Sequence, residues 1–364
     1  MTYSKMGLVN PAFWAGRKVF LTGHTGFKGG WLSLWLASMG AKVTGYALAP
    51  NTTPSFFNIT DVQRDLEASH LGDIRNFEEL QKIMMQSKPE IVIHMAAQPL
   101  VRYSYVNPIE TYETNVMGTV NVLEAIRSID GVSAAVVVTT DKCYENSERI
   151  LGYSENEPMG GYDPYSSSKG CAELVASAYR QSYFSPEKYD KHGVAIATAR
   201  AGNVIGGGDW SEDRLIPDAI KAFEAKKALL IRNPLAVRPW QHVLEPLSGY
   251  LVLAQALHNN GPQFDGAWNF GPSDEDTTIV RDVIELLVAK WGPNASWDQD
   301  SAEQPHEAHT LRLNCQKARE SLGWIPRWNI EKAIQNTADW YRTYFKNEDM
   351  KLLSLQQINQ YQSL

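Results

Sequence analysis

Cysteine is scarce in this chain. The 364 residues include three cysteines, Cys143, Cys171 and Cys315, and no two of them form a Cys-x-x-Cys motif. An odd number of widely spaced cysteines argues against a disulfide-stapled secreted domain and against the common zinc motifs. We therefore expect reduced thiols in a cytoplasmic protein, and no metal site.

Long apolar segments and an excess of positive charge are also missing. No run approaches the roughly 18 continuous apolar residues of a membrane span, and residues 1–11 lack the charged-then-apolar order of a signal peptide. The 41 Asp and Glu outnumber the 34 Lys and Arg, which gives a formal net charge of -7. Because nucleic acids and acidic membranes attract clustered cations, we expect neither as a partner.

Short apolar runs rich in β-formers alternate with helical stretches through the first half of the chain. The expected strands are Lys18–Leu21, Lys42–Ala47, Ile91–His94, Ala134–Thr139 and Val194–Ala199. The expected helices between them are Trp31–Met39, Phe77–Gln86, Glu110–Ser128 and Ser167–Phe184. This alternation predicts an α/β fold with a Rossmann-type, doubly wound parallel sheet.

After Arg200 the alternation gives way to loops rich in Gly and Pro with separated helices. The pattern favours a smaller C-terminal lobe that binds substrate. We expect a Rossmann domain over residues 12–202, with 241–270 returning to it, and a lobe formed by 203–240 and 271–345. Residues 346–364 are expected to form a C-terminal tail.

A glycine cluster directly follows the first expected strand and opens a helix. Gly23, Gly26 and Gly29 have the spacing G-x-x-G-x-x-G. In a strand-turn-helix context such glycines allow backbone N–H groups to approach a pyrophosphate, which the helix N-terminus also favours. His24 is bulky for a position against a pyrophosphate, so we expect a comparatively loose grip on the cofactor.

The cofactor expected in this cradle is NAD. The end of the second strand, residues 46–50, carries neither the acid that usually holds the ribose hydroxyls of NAD nor an arginine for a 2′-phosphate. We nevertheless expect NAD as the cofactor and not NADP.

Tyr165 and Lys169 stand four residues apart on one expected helix. This spacing places both side chains on one face, where the ammonium can lower the pKa of the phenol. Such a pair is typical of a base for hydride transfer. The alternative is an ordinary pair on a helix surface.

An acid and an amine, Asp141 and Lys142, end another buried run, next to Thr140. Two further proton-transfer groups beside a redox base indicate chemistry beyond simple oxidation. The alternative interpretation is a salt bridge between adjacent opposite charges.

Several motifs together resemble one known family. They are TGHTGFKG at 22–29, GDIR at 72–75, HMAAQ at 94–98, Asn115, the Tyr165/Lys169 pair and RAGNVIGGGDW at 200–210. The chain resembles the extended short-chain dehydrogenases/reductases, which include NAD-dependent epimerases and dehydratases, over residues 15–345. GHTGFKG, TTDKCY at 139–144 and RPWQHVLEPLSGYL at 238–251 are similar to the subgroup of 4,6-dehydratases that act on CDP-glucose.

The resemblance implies roles for individual residues. The residues implied to contact NAD are Gly23, His24, Thr25, Gly26, Phe27, Gly29, Asp73, Ile74, Ala96, Ala97, Asn115, Tyr165 and Lys169. Asn203 and Arg238 match positions that hold the substrate diphosphate, and Arg312 is a second candidate that is equally well explained as a surface ion pair. Arg102 is a weaker candidate for contact with the sugar.

The reaction implied is loss of water from CDP-glucose, which gives a 4-keto-6-deoxy sugar. Tyr165 would take the O4 proton, with Thr140 hydrogen-bonded to O4, while Lys142 would remove the C5 proton and Asp141 would protonate the departing 6-hydroxyl. Related dehydratases acting on dTDP- or UDP-sugars carry glutamate where Lys142 stands, which leaves the identity of the base open. The resemblance also implies a homodimer or a dimer of dimers, through the helices 110–128 and 167–184.

Other functions remain open on the sequence. A nucleotide-sugar 4-epimerase would use the same Tyr165/Lys169 oxidation without needing Asp141 and Lys142. A 4,6-dehydratase for another nucleotide hexose and a non-catalytic NAD sensor are further alternatives.

Overall fold

The computed structural model describes residues 7–300 and 309–364, so residues 301–308 of the expected lobe lie outside the described part. The strands are β1 Lys18–Thr22, β2 Lys42–Ala47, β3 Ala68–Leu71, β4 Ile91–His94, β5 Ala134–Val138, β6 Ala195–Ala201, β7 Val204–Ile205, β8 Leu229–Ile231, β9 Val237–Arg238, β10 Gln241–His242, β11 Gly266–Phe270, β12 Thr278–Ile279 and β13 Trp297–Gln299.

The α-helices follow the same order along the chain. They are α1 Pro11–Trp14, α2 Phe27–Ser38, α3 Phe56–Ile59, α4 Phe77–Ser87, α5 Val101–Val106, α6 Pro108–Tyr112, α7 Gly118–Arg127, α8 Pro164–Ser182, α9 Tyr189–His192, α10 Leu215–Glu224, α11 Leu244–Asn260, α12 Val280–Trp291, α13 Ile330–Tyr344 and α14 Met350–Gln362. A π-helical turn, Glu113–Met117, joins α6 to α7.

A parallel sheet forms the centre of the molecule. Its order is β11-β6-β5-β4-β1-β2-β3, and every neighbouring pair is parallel. In register, Val19 of β1 lies between Val43 of β2 and Ile91 of β4. The chain reverses direction across the sheet between β1 and β4, the usual position for a ligand crevice. The predicted doubly wound parallel sheet is confirmed.

Alternate strand residues bury themselves on opposite faces of this sheet, as the two-residue period of a strand requires. Val19 and Leu21 pack into a core with Trp31 and Trp35 of α2, and Phe20 packs into the other core. Because both faces of the sheet are covered, the sequences of the central strands are almost continuously apolar.

The C-terminal half contributes to both the sheet and the smaller lobe. Strand β11 pairs with β6, and α11 packs against β5 and β6. Two-stranded ladders join β10 to β7, β12 to β9 and β13 to β8, and α10 packs against β8. These ladders place α10 and β8 over the carboxyl edge of the central sheet.

The last residues are not a loose tail. We expected a tail after residue 345, but 350–362 form α14, whose Ile358 and Tyr361 are buried. The Asp349 carboxylate caps the helix by accepting a hydrogen bond from Leu352 N at 3.0 Å. The buried face of α14 follows helical spacing but mixes apolar and polar side chains: Met350, Ser354, Gln357, Ile358 and Tyr361.

Candidate active site

A cavity of ≈ 1400 Å³ lies at the carboxyl ends of the central strands. Its wall includes the loops after β1, β4, β5 and β6, together with residues of α10 and β8. In a doubly wound sheet this edge is where ligands bind. The cavity therefore lies between the carboxyl edge of the central sheet and the segment that carries α10 and β8.

The glycine cluster forms a tight cradle at the base of this cavity. Gly23 has φ +79°, and a Cβ atom there would lie 2.7 Å from Ala96 N. A Cβ atom on Gly29 would lie 2.0 Å from Gly23 O. Gly26 caps the N-terminus of α2, and Thr25 and Phe27 line the cavity beside it. Side chains at Gly23 and Gly29 would collide with the protein backbone, so this tight turn at the N-terminus of α2 requires glycine at both positions.

His24 lies elsewhere than we expected. Its imidazole is fully buried, with Nε2 2.7 Å from Ser69 Oγ, and it occupies the space that the missing side chain of Gly45 leaves. Burial, aided by the charge of nearby His70, lowers the pKa of His24 to about 4. The ring packs against the sheet and is not part of the described cavity wall. The prediction that the His24 side chain crowds a bound pyrophosphate is therefore wrong.

Asp73 and Ile74 line the far end of the cradle. Hydrogen bonds from Arg75 to the Asp73 carboxylate, one of them 2.6 Å from Nη2, lower the pKa of Asp73. Ala96 and Ala97 line the opposite wall.

Asn115 lies behind the cavity wall. Its Oδ1 accepts from Gln98 N at 2.8 Å, and its Nδ2 donates to Ser168 Oγ at 2.9 Å. The amide ties the loop after β4 to helix α8. Thr114 belongs to the described wall and Asn115 does not. The Asn115 side chain is therefore not positioned to contact a cofactor in the cavity.

Tyr165 stands in the first turn of α8, and Lys169 lies one turn later. Asp163 caps the helix by accepting from Ser166 N at 2.9 Å, and Tyr165 N donates to Ser104 Oγ at 3.1 Å. Lys169 Nζ donates to Val138 O at 3.0 Å, which anchors the ammonium to the end of β5. Both side chains line the cavity.

The electrostatics of this pair differ from our expectation. Burial raises the pKa of Tyr165 to about 12, although a hydrogen bond with Thr140 opposes the rise. Burial lowers the pKa of Lys169 to about 8, opposed by the negative charge of Glu173. In this structure desolvation therefore outweighs the expected acidification of the phenol by Lys169.

Asp141 and Lys142 contact each other directly. Lys142 Nζ lies 3.3 Å from Asp141 Oδ1, and Thr140 Oγ1 donates to the same oxygen at 3.0 Å. The Asp141 side chain is fully buried, whereas that of Lys142 is 30% exposed. Asp141 Oδ2 is buried without a hydrogen-bond partner among the described residues. The acid thus keeps one free oxygen beside the cavity.

A buried ion pair that the sequence analysis missed supports the floor of the site. Arg200 Nη2 lies 2.8 Å from Glu173 Oε2, and Thr198 Oγ1 donates to that oxygen at 2.7 Å. Thr139 donates to the other oxygen. The available signal was the spacing of Glu173, four residues after Lys169 on the same face of α8.

The expected cations are only partly brought together. Arg238 lines the cavity and donates from Nη1 to Val237 O at 2.9 Å. Arg102 also lines it, in an ion pair of 3.2 Å with Asp213, and Asn203 lines it with its Oδ1 buried and without a hydrogen-bond partner in the described chain. Arg312 does not belong to the described wall, where its neighbour Leu311 does.

Three cations in the described wall were missed, Lys28, Arg214 and Arg232. Lys28 Nζ donates to Tyr250 Oη at 2.9 Å, and burial lowers the pKa of Lys28 to about 7. Arg214 Nη1 lies 2.8 Å from Asp209 Oδ2. Lys28 stands inside the glycine motif, which could have drawn attention to it, whereas Arg214 had no recognisable spacing.

Two kinds of feature are not found in the described residues. No group of three or more His, Cys, Asp or Glu side chains is arranged to hold a metal ion within 7–300 and 309–364. Over the same ranges, no helix combines the length and apolarity needed to cross a membrane.

The sheet order, the glycine cradle after β1 and the Tyr-x-x-x-Lys helix define a Rossmann protein of the short-chain dehydrogenase/reductase type. The chain belongs to the family described as GDP-mannose 4,6 dehydratase, whose profile matches residues 20–337. A curated relative, "CDP-glucose 4,6-dehydratase" of Salmonella typhimurium, is 56% identical over 98% of this chain and 99% of its own length. A "dTDP-glucose 4,6-dehydratase" of Streptomyces antibioticus is 29% identical over 74% of this chain and 75% of its own.

Solved structures share the fold. A dTDP-glucose 4,6-dehydratase from Bacillus anthracis in complex with NAD superposes with TM-score 0.73 at 24% identity, covering 93% of this chain and 100% of that one. A UDP-glucose 4-epimerase from Thermotoga maritima with UDP-glucose gives TM-score 0.77 at 21% identity, covering 90% and 99%.

Proposed function

We propose that this chain is an NAD-dependent hydro-lyase that converts CDP-glucose to CDP-4-keto-6-deoxyglucose. The observation that carries the proposal is the presence of two separate proton-handling pairs, Tyr165–Lys169 and Asp141–Lys142, in one cavity. Oxidation at C4 needs only the first pair, whereas elimination across C5 and C6 needs the second as well. The identity of the substrate, CDP-glucose, is inferred from the relative that is 56% identical to this chain.

The residues present fit NAD. Gly23, Gly26 and Gly29 form a tight turn at the N-terminus of α2, where Cβ atoms at positions 23 and 29 would collide with backbone, and such a helix N-terminus suits a diphosphate. Ala96, Ala97, Asp73 and Ile74 would flank the rest of the dinucleotide, and the wall at 47–51 carries no cation for a 2′-phosphate. When bound, NAD supplies a hydride acceptor for C4 and returns the hydride to C6.

Tyr165 and Thr140 handle the first proton. The Thr140 hydroxyl is near enough to Tyr165 to lower the pKa of the phenol, so a sugar O4 that reaches Tyr165 also lies near Thr140. Tyr165, as the phenolate that the positive charge of Lys169 favours, accepts the O4 proton as the ketone forms. The bond from Lys169 to Val138 O fixes that charge in place.

Asp141 and Lys142 handle the elimination. As an ion pair they hold one proton on the amine, and its transfer across their 3.3 Å contact gives a neutral amine and a carboxylic acid. The 4-keto group makes the C5 proton labile, Lys142 removes it, and Asp141 protonates the departing 6-hydroxyl, which leaves as water. The ammonium of Lys142 returns a proton to C5 in the last step. The O4 proton on Tyr165 replaces the proton that left with the water, since Tyr165 lies next to Thr140 and the Thr140 hydroxyl is hydrogen-bonded to Asp141.

The remaining polar groups of the wall would bind the nucleotide. Arg238 and Asn203, which line the cavity, would hold the diphosphate, and Arg102, which also lines it, would contact the sugar. A guanidinium can form two parallel hydrogen bonds with a phosphate. Arg312 is left out of this set because of its position outside the wall.

We further propose a cytoplasmic homodimer. Buried thiols such as Cys143 and Cys315 stay reduced in that compartment. Helices α6 to α8 expose large apolar side chains, including Ile109, Met117 and Leu174. Exposed apolar side chains on neighbouring helices favour association with a second copy.

Incubation with CDP-glucose in deuterated water tests the reaction. We expect loss of one water molecule and deuterium at C5 of the product, read by mass spectrometry and NMR. A product that keeps the oxygen at C6 and is inverted at C4 would indicate an epimerase, and absence of any conversion with nucleotide hexoses would leave only NAD binding.

A further inference from the structure

The cavity extends beyond the reacting groups along helix α10. The helix begins after Arg214, whose charge interacts with Tyr165. Asp218 follows one turn later, about 6 Å along the helix axis. Asp218 and the segment 229–233 line this part of the cavity, which we call the distal end.

Apolar side chains form much of the distal end. Ile216 of α10 and Leu229 and Ile231 of β8 all line it and are largely buried. An apolar space between a helix and a strand can hold an aromatic ring, and a few polar groups then decide which ring binds. The distal end therefore has the character of a base-binding site.

Two charged side chains face this space, Asp218 and Arg232. Within the described residues, neither side chain forms a hydrogen bond or a close ion pair. Arg232 is nonetheless near enough for its charge to stabilise the Asp218 carboxylate. An acceptor and a donor thus stand close together without hydrogen-bond partners among residues 7–300 and 309–364.

The charge state of Asp218 fits an acceptor. Burial raises the pKa of Asp218 to about 6; Lys221 and Arg232 oppose the rise, whereas Asp213 and Glu212 add to it. Above that value the side chain is ionised and can only accept hydrogen bonds.

We propose that Asp218 and Arg232 select cytosine as the base of the substrate. The inference rests on the proposed function: with the sugar at Tyr165 and the diphosphate near Arg238, the base reaches the distal end. The Asp218 carboxylate accepts from the 4-amino group of cytosine, a pairing that proteins also use to recognise this base in DNA. The Arg232 guanidinium donates to N3 and O2.

Uracil and thymine present the opposite pattern at two positions. Their O4 is an acceptor that would face a carboxylate, and their N3–H is a donor that would face a guanidinium. Both contacts are repulsive and leave buried polar groups unpaired. Discrimination on the order of 10- to 100-fold is expected from such a pair.

The test compares Asp218→Asn with Glu212→Gln. Asparagine can turn its amide to donate to O4, so the ratio of kcat/KM for CDP-glucose over UDP-glucose should fall by about tenfold or more. Glu212 is 86% exposed and outside the described wall, so Glu212→Gln removes a nearby negative charge and should keep the ratio. An unchanged ratio in Asp218→Asn would overturn the inference.

Arg232→Gln provides a second route if Asp218→Asn does not fold. It should raise KM for CDP-glucose more than it lowers kcat, and it should weaken inhibition by CDP more than inhibition by UDP. Equal weakening of both inhibitors would contradict the assignment. The wild-type reaction in deuterated water tests the proposed function separately, so a dehydratase with unchanged base preference in these variants would fail only this inference.

Discussion

The contact between Asp141 and Lys142 combines two unlike environments. The Asp141 carboxylate is fully buried and the Lys142 amine is partly exposed, yet Lys142 Nζ lies 3.3 Å from Asp141 Oδ1. A proton can pass between them without a relay, so the pair can act as acid and base in one step. The Lys142 amine remains at the cavity surface, where it can reach a sugar carbon.

Lys142→Ala should separate oxidation from elimination. Tyr165 and Thr140 are untouched, so the variant should still form the 4-keto-hexose and reduce the bound cofactor, detected by near-ultraviolet absorbance. Loss of the base should slow water loss by about 10²- to 10⁴-fold. Tyr165→Phe serves as the comparison, since it should block both steps, and normal turnover by Lys142→Ala would remove this residue from the mechanism.

The spacing of residues in the sequence was enough to predict those site residues that lie close together along the chain. Tyr165 and Lys169 share one helix, and Asp141 and Lys142 are adjacent, so their proximity follows from the chain itself. Arg214 and Asp218 reach the cavity only because α10 folds over the sheet edge, which no local pattern shows. The position of His24 was mispredicted because it depends on the space at Gly45, a residue on the next strand.

One buried acid, Glu245, is among the groups that hold helix α14 to the body of the protein. Tyr361 Oη donates to Glu245 Oε2 at 2.7 Å, and the same carboxylate accepts from the backbone N of Arg327 and Trp328. Burial raises the pKa of Glu245 to about 7, and these hydrogen bonds oppose the rise. Because the unfolded value is about 4.3, ionisation of Glu245 costs folding free energy progressively from roughly pH 4 to pH 7, and the full cost applies above pH 7.

Tyr361→Phe should therefore destabilise the protein more at high pH. Removing the donor leaves the ionised carboxylate less well solvated, which should cost about 1.5–3 kcal/mol at pH 8 and about 0.5–1.5 kcal/mol at pH 5, where the carboxyl is protonated. Urea unfolding at both pH values measures the difference. Tyr344→Phe is the control, since the described residues offer its phenol no hydrogen bond, and an equal loss at both pH values would contradict the role of Glu245.

Elements buried on both faces were predictable, and elements at the sheet margins were not. The expected β2 and β4 match the structure, and β1 differs by one residue. Strand β3 was missed because the edge sequence Ala-Ser-His-Leu is polar and half exposed. Strand β11 was missed because it lies after the lobe has begun, and its pairing with β6 depends on tertiary structure.

At the scale of the whole molecule, the exposed apolar side chains of α6 to α8 predict self-association. Leu174→Glu places a charge on that surface and should convert a dimer to a monomer, measured by size-exclusion chromatography with light scattering. Leu352→Glu, on the separate helix α14, is the matched control: the two leucines are 60% and 54% exposed. A Leu174→Glu variant that keeps the wild-type mass would place the interface elsewhere.

The pairing of β11 with β6 also governs when the fold can be completed. As the ribosome releases the chain, strands β1 to β6 emerge first, but the outer edge of β6 stays open until residues 266–270 arrive. An unpaired edge of this kind invites strands from other molecules. The nascent protein must therefore pass through a stage in which the β6 edge of its central sheet is unpaired. A chain truncated before β11 would keep that edge open.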